Sequence, residues 1–295
     1  MLNRHRLAVE SDQDPVRLAR GCWVVEPDAS ELDGTCAAVL RSCNADAVIV
    51  STTAARLYDL WLPDVPDEIH VATVLPDRAG RDMRRPQRRE FVAHRWTAPS
   101  HDVSLVRGVP VTTPARTWRD LASVLGLPAL VAAGDSVLRM GVPFEELEEV
   151  VRRTARHRYV RRSRAALELL DARSASRPES HLRVAISAPG IPRFAVNEDV
   201  YRDRGGWLAR PDLSHAEARI ALEYQGLDHA DPERMRRDLS RAADLRDEGW
   251  LVLAYGPAEV FGRPWQIETE VRLAVRARAP HLVRRPRVQS GTPSG

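Results

Sequence analysis

The chain has 295 residues, 43% of them hydrophobic, which is enough for two hydrophobic cores of ordinary size. All 44 basic residues are arginine, so chemistry that needs a lysine ammonium is excluded, while bidentate arginine–phosphate contacts are available. The net charge of +3 permits an anionic partner without requiring one. No apolar run approaches the roughly 20 residues that span a bilayer, and we expect no signal peptide. The cysteines lack the spacing of metal ligands. We therefore expect a reduced, cytoplasmic, two-domain protein with no membrane partner.

Residues 1–173 are predicted to form an α+β region of short strands and helices. Ser51 is a candidate N-cap, and Thr113 followed by Pro114 is typical of a helix start. β-rich apolar runs predict strands within residues 17–27, 47–50, 67–75, 91–96 and 103–112. Helical spacing predicts helices ending near residue 40, at 51–60, from 113, at 128–139 and at 144–155.

Seven arginines lie between Arg152 and Arg164, and this arginine cluster runs into a Ser/Arg/Pro-rich stretch. The composition places a domain boundary near Ser174. The arginine cluster has two interpretations, a solvated helix face or a surface that contacts phosphates.

Past residue 174 the pattern is that of an α/β domain. It predicts a helix, three strands, a helix, a strand and a closing helix, and hence a mixed sheet flanked by helices. The predicted helices are 179–187, 232–249 and 264–278, with one strand in 194–203, two in 205–226 and one in 250–256. The Arg-, Pro-, Ser- and Gly-rich tail, residues 280–295, is expected to be disordered.

Acidic residues in this second domain form a candidate metal site. Hairpin pairing would bring Asp212 close to Glu223, and two carboxylates at a sheet edge can hold a hard cation that activates water. Glu179 would add a third carboxylate, and His229 a general base or a ligand. Acids at strand ends are more often simply solvated. Glu223, however, follows a buried apolar run, where an unpartnered carboxylate is unfavourable.

The motifs in this region resemble the Vsr-like endonuclease domain of many actinobacterial proteins, within the PD-(D/E)xK restriction-endonuclease-like superfamily. They occur in the family's order over about 100 residues. Such a resemblance indicates a fold more directly than a function. The resemblance is carried by Glu179, RPDL at 210–213, EYQGLDH at 223–229, RRDLSR at 236–241 and GWLVL at 249–253.

The resemblance implies that Asp212 and Glu223 bind Mg²⁺ or Mn²⁺, with Glu179 as an accessory acid in a domain spanning 174–279. Gln225 stands where the superfamily has a lysine, so it can hydrogen-bond the attacking water but supplies no positive charge. His229 completes the implied catalytic set. DNA phosphates would be contacted by Arg236, Arg237 and Arg241, and related nucleases often act as homodimers.

The amino-terminal region resembles AbiEi-type antitoxins of type IV toxin–antitoxin systems. In such proteins a winged helix-turn-helix precedes the first matching segment, whereas about 16 residues precede it here. We therefore expect an incomplete winged-helix start and no sequence-specific DNA reading by this chain. The matching segments are RLARGCWVV at 17–25, STTAARLYDLWLP at 51–63, IHVATV at 69–74 and VRGVPVTTPARTWRDLA at 106–122.

Two functional hypotheses follow. The first is a metal-dependent endonuclease that hydrolyses phosphodiester bonds of DNA, which accounts for the order of the carboxylates and the nearby arginines. The alternative is a non-catalytic antitoxin-type transcriptional regulator or nucleic-acid-binding protein with a cognate toxin as partner, which accounts for the missing lysine and the amino-terminal resemblance.

Overall fold

The computed structural model describes residues 16–19, 22–24, 32–43, 46–73, 91–94, 100–226 and 232–283. The chain divides into two compact units, residues 1–123 and 124–295, and each is described by itself. Both units combine helices with mixed sheets, so the predicted α/β class is confirmed. The domain boundary near Ser174 falls inside the second unit and stays a prediction.

The first unit is built on a five-stranded sheet of order β5-β4-β3-β7-β6. β3 pairs antiparallel with β4 and parallel with β7, and β6 and β7 form an antiparallel hairpin through a turn at Arg107 and Gly108. A separate hairpin joins β1 to β2. The elements are β1 Val16–Ala19, β2 Cys22–Val24, α1 Leu32–Arg41, β3 Ala47–Ile49, α2 Ser51–Leu57, β4 Ile69–Thr73, β5 Phe91–His94, β6 Val103–Val106, β7 Val109–Thr112 and α3 Pro114–Leu121.

The core of this unit forms where α1 and α2 pack on the sheet, because the strands present consecutive buried aliphatic residues. Ile49 and Val111, on paired strands, are fully buried at its centre. The unit also contains a buried ion pair, in which Arg116, 1% exposed, donates from Nη1 to Asp102 Oδ2 at 2.7 Å.

Of the two helix starts predicted here, one is confirmed and one is wrong. Thr113 caps α3, since its hydroxyl accepts from the backbone N–H of Arg116 at 3.4 Å and Pro114 opens the helix. At α2 the N-cap is Val50, which makes no side-chain cap, and Ser51 is the first helical residue, with a φ of 57°. Its left-handed backbone explains why the expected serine cap does not form.

The second unit contains a four-stranded sheet of order β13-β12-β11-β8, with the hairpin β9–β10 as a separate two-stranded sheet. β11 runs antiparallel to β8 and β12, whereas β12 and β13 are parallel and joined through α8. The elements are α4 Leu127–Arg139, α5 Phe144–Arg153, α6 Val160–Leu167, α7 Arg177–Ile186, β8 Ala195–Val196, β9 Val200–Tyr201, β10 Trp207–Ala209, β11 Leu213–His215, β12 Ile220–Tyr224, α8 Pro232–Asp247, β13 Leu251–Tyr255 and α9 Pro264–Arg278. A π-helical turn, Ala258–Gly262, precedes α9, and a 3-10 turn, Pro280–Leu282, follows it.

Successive side chains of β12 point to opposite faces of the sheet and pack in two different hydrophobic cores. Ile220 and Leu222 pack with α7 and α9, where Leu182 and Val271 are fully buried. Ala221 instead packs against Leu245 of α8, in a second core that also includes the hairpin. Glu223 shares the face of Ala221, which places it toward α8.

The sequence pattern underestimates the number of strands. It predicts one strand in residues 194–203, but these form β8 and β9, which belong to different sheets, and residues 205–226 contain three strands rather than two. The break between β8 and β9 falls at Asn197, which has a φ of 48°, a conformation that Asn adopts more readily than most residues. The predicted tail lies outside the described residues from position 284 onward.

A buried charge network joins α4 to α7 across the predicted boundary. Asp135, which is fully buried, accepts from Ser180 Oγ at 2.6 Å, from the backbone N–H of Asp171 at 2.8 Å and from the guanidinium of Arg183. Arg183 also donates to the carbonyl of Leu169. These contacts connect α4 and α7 within the second unit.

Within the part of the chain that the structure describes, no helix is both long and apolar enough to cross a membrane.

Candidate functional site

The predicted meeting of Asp212 and Glu223 follows from strand register. β11 and β12 are antiparallel with Leu213 opposite Leu222, so the residue before β11 lies opposite Glu223. Asp212 Oδ2 accepts a hydrogen bond of 2.7 Å from the backbone N–H of Tyr224. β11 begins directly after Asp212, so the two carboxylates lie at the same end of the β11–β12 pair.

The surroundings of Asp212 favour its protonated form. Burial raises the pKa of Asp212 to about 7, and the negative charges of Glu179 and Glu223 act in the same direction. The Tyr224 N–H and the Arg241 guanidinium oppose this rise without cancelling it. The Asp212 carboxyl group therefore titrates near neutral pH.

Glu223 is paired with an arginine. Its Oε2 accepts from Arg241 Nη2 at 2.7 Å, and its side chain is 13% exposed while that of Arg241 is 35% exposed. A charge-assisted bond of this kind satisfies a half-buried carboxylate. Arg241, predicted to contact DNA phosphates, here neutralises Glu223.

Glu179 has a structural role at the start of α7. Ser176 is the N-cap, its hydroxyl accepts from Glu179 N–H at 3.4 Å, and Glu179 Oε1 accepts from the same hydroxyl at 2.8 Å. Glu179 Oε2 accepts from the Ala175 N–H and from Asn197 Nδ2, each at 2.7 Å. Ser-x-x-Glu at a helix start is a capping-box arrangement. The carboxylate of Glu179 is therefore engaged in holding α7 to the loop after β8.

The remaining predicted site residues are only partly placed. Gln225 is exposed, its backbone N–H donates to the Tyr255 carbonyl at 2.9 Å, and strand alternation puts it on the face of Glu223. His229 lies outside the described residues. Arg236 and Arg237 belong to α8, but their side chains are also outside the described part.

Protein groups already engage each of the carboxylates that was predicted to bind a divalent cation. Each of Glu179, Asp212 and Glu223 already accepts hydrogen bonds or an ion pair from protein donors. Among the described residues, no three His, Cys, Asp or Glu side chains gather closely enough to hold a metal ion. Mg²⁺ or Mn²⁺ at this position stays a prediction.

Asn197 is the site residue that sequence reasoning missed. Its side chain binds Glu179, and its backbone N–H donates to the Asp212 carbonyl at 3.0 Å, so it links α7 to the start of β11. The single signal in the sequence was an Asn between two short apolar runs, which favours a left-handed turn.

The arginine cluster begins in the last turn of α5 and continues through the following loop and α6, and most of its members are exposed. Tyr159, at the N-cap of α6, has the guanidinium carbons of Arg158 and Arg162 at 5.4 and 5.5 Å from its ring centroid. This cation–π stacking holds two of the guanidiniums on one aromatic residue. The other exposed members in the loop and on α6 are Arg156, Arg161 and Arg164.

Part of the chain is similar to a known family of protein domains. Residues 37–172 match the family described as AbiEi antitoxin C-terminal domain, which covers the arginine cluster and ends just before α7. The amino-terminal region is thus antitoxin-like, as predicted, while a Vsr-like nuclease domain after it has no such support.

The comparison also identifies relatives of nearly full length. The chain is 30% identical over 259 residues to Rv2248 of Mycobacterium tuberculosis H37Rv and to MT2308 of strain CDC 1551, covering 87% of this chain and 90% of each relative. Both relatives are described as uncharacterised proteins. The chain belongs to the same family as these two proteins. It also resembles the crystal structure of Rv2827c from M. tuberculosis with a TM-score of 0.37 and 17% identity, over 63% of this chain and 72% of that one.

Proposed function

We propose that the protein is an antitoxin-type regulator that counteracts a cognate toxin and binds nucleic acid without cleaving it. The match of residues 37–172 to the AbiEi antitoxin C-terminal domain carries this proposal. In this function the carboxylates at the β11–β12 edge stabilise the fold rather than perform chemistry.

The arginine cluster supports the nucleic-acid part of the proposal. Arg156, Arg161 and Arg164 are exposed and make no ion pair with another described residue. Guanidinium groups so placed attract phosphates and can bind them in a bidentate manner.

The geometry of the carboxylates argues against catalysis as the main role. The Arg241–Glu223 ion pair and the capping role of Glu179 use the groups that a nuclease would present to a metal. Gln225 brings no positive charge to stabilise a phosphodiester transition state. The residues are thus satisfied without a ligand.

Co-expression with the predicted toxin tests the proposal. The toxin is expected to be a nucleotidyltransferase-type protein encoded beside this gene, and its induction alone should arrest growth. Co-expression of the intact chain should restore growth. A neighbouring product that does not arrest growth, or arrest that the chain fails to relieve, would contradict the proposal.

Two triple variants with the same change in charge test whether the arginine cluster is the nucleic-acid-binding surface. Replacing Arg156, Arg161 and Arg164 by Gln removes three charges from the arginine cluster and should weaken binding to duplex DNA. The control replaces three exposed arginines elsewhere, Arg41, Arg246 and Arg276. Equal weakening by both triple variants would show that net charge, rather than the arginine cluster, governs binding.

A metal-dependent nuclease is a second candidate, favoured by the position of Asp212 opposite Glu223. Nicking of supercoiled plasmid with Mg²⁺ or Mn²⁺ tests it, alongside calorimetric Mn²⁺ binding. Asp212→Asn and Glu223→Gln should abolish both signals, whereas Glu217→Gln, an exposed carboxylate at the turn between β11 and β12, should preserve them. No nicking by the intact chain, or equal nicking by all variants, would refute this candidate.

A further inference from the structure

Two aromatic side chains are exposed side by side on the β9–β10 hairpin. Tyr201 and Trp207 are directly paired across the antiparallel strands, and they are 61% and 57% exposed. Cross-strand partners lie on the same face of a sheet. Their neighbours Val200 and Leu208 are buried against α8, so the hairpin is anchored by one face and presents the aromatic pair on the other.

The indole of Trp207 is held in a fixed orientation. Trp207 Nε1 donates to Asp199 Oδ1 at 2.8 Å, and Arg210 grips the same carboxylate with two hydrogen bonds of 3.0 and 2.7 Å. Hydrogen bonds from Arg210 and, to a smaller extent, from Trp207 hold the pKa of Asp199 below its usual range. Asp199 is therefore ionised at neutral pH and keeps both hydrogen-bonding partners. A ring oriented in advance loses little conformational entropy when it binds a flat ligand.

The charges around the aromatic pair suit a polyanion. Each acid of the hairpin segment has an arginine partner: Glu198 pairs with Arg173, Asp199 with Arg210 and Asp203 with Arg219. The segment therefore presents no unneutralised carboxylate to repel a phosphate. Arg204, in the turn, is exposed and makes no ion pair with another described residue.

We propose that Tyr201 and Trp207 form a stacking platform for unpaired bases of a single-stranded nucleic acid, with Arg204 next to its phosphates. Nucleobases stack on exposed aromatic rings whatever their sequence, and a neighbouring guanidinium follows the backbone. A protein partner would need further apolar surface around the pair, but the adjoining turn consists of Arg, Asp and Gly. The inference rests on the nucleic-acid part of the proposed function and specifies its ligand.

Binding of fluorescein-labelled oligothymidine, followed by fluorescence anisotropy, tests the platform. Stacking of one base contributes about 1–3 kcal/mol, so Trp207→Ala should weaken binding about 5- to 150-fold. Tyr201→Ala should weaken binding in the same direction. The matched control is Trp265→Ala, because Trp265 is 63% exposed in the same unit but lies on α9. Binding of the control should equal that of the intact chain.

A salt titration and a conservative variant separate stacking from charge. Trp207→Phe should retain most of the affinity for oligothymidine, and Trp207→Ala should leave the salt dependence of binding unchanged. Arg204→Gln should reduce the slope of log affinity against log salt by about one. No oligothymidine binding by the intact chain, equal losses in Trp207→Ala and Trp265→Ala, or binding of duplex alone would overturn the platform. Because growth rescue is a separate assay, a chain that neutralises the toxin but fails here would refute the platform and leave the proposed function intact.

Discussion

Removing the carboxylate of Asp135 should destabilise the second unit severely. The Asp135→Ala variant leaves the guanidinium of Arg183, which is 8% exposed, without its counter-charge, and it also removes the acceptor for Ser180 Oγ and for Asp171 N–H. Breaking a buried ion pair from one side costs about 3–5 kcal/mol. For a unit of this size that corresponds to a fall in melting temperature of roughly 6–20 °C.

Urea unfolding of the full chain, followed by circular dichroism and by hydrogen exchange in α4 and α7, measures this cost. The exposed pair Glu149–Arg152, with side chains 49% and 75% exposed, is the matched control, and Arg152→Ala should cost about 1 kcal/mol or less. The double variant Asp135→Leu/Arg183→Met should recover most of the loss, because no buried charge remains. A cost below about 1 kcal/mol for Asp135→Ala would refute the claim that this pair ties α4 to α7.

Three further results are expected. The pKa of Asp212 is raised to about 7 in the folded state, so its contribution to stability is complete below its unfolded pKa and is lost as pH rises toward 7. Asp212→Asn should therefore flatten the pH dependence of the unfolding free energy in that pH range. An unchanged profile would contradict the raised pKa. Replacing Arg156, Arg161 and Arg164 by Gln should lower the slope of log affinity for duplex DNA against log salt by up to about 3, and an unchanged slope would exclude phosphate contacts there. Thr113→Ala should lower the unfolding free energy of the first unit by about 1 kcal/mol in urea titrations, and a neutral effect would show that this cap adds no stability.

Local patterns in the sequence predict those parts of the fold that local rules determine. The predicted bounds of α4 and α9 agree with the structure within about one residue, because apolar periodicity and flanking Pro or Gly define these helices. The pairing that brings Asp212 to Glu223 is also predictable, since two short strands joined by a tight turn pair antiparallel.

Features set by distant contacts are not predictable in this way. Arg241 approaches Glu223 from α8 and Asn197 binds Glu179 from the loop after β8, so neither partnership has a local signature. The same holds for Asp135 and Arg183, which are 48 positions apart. Ser51 fails as a cap because its backbone is left-handed, which a serine in the sequence does not indicate.

These long-range partnerships change the interpretation of the site. Acidic residues in the order of a nuclease motif suggest a metal, but an arginine and a helix N-terminus satisfy the same acids in the folded chain. The hydrogen bonds of these acids also connect the sheet edge to α7 and α8. The proposed function depends instead on the antitoxin-like segment and on the arginine cluster within it.

Growth rescue by the double variant Asp212→Asn/Glu223→Gln tests whether the protein acts as an antitoxin without catalysis by these carboxylates. The variant would be co-expressed with the toxin, after its melting temperature has been compared with that of the intact chain. A variant that remains folded should rescue growth as well as the intact chain does, since the carboxylates take no direct part in the proposed activity. Loss of rescue by a variant that remains folded would show instead that these carboxylates take part in the activity.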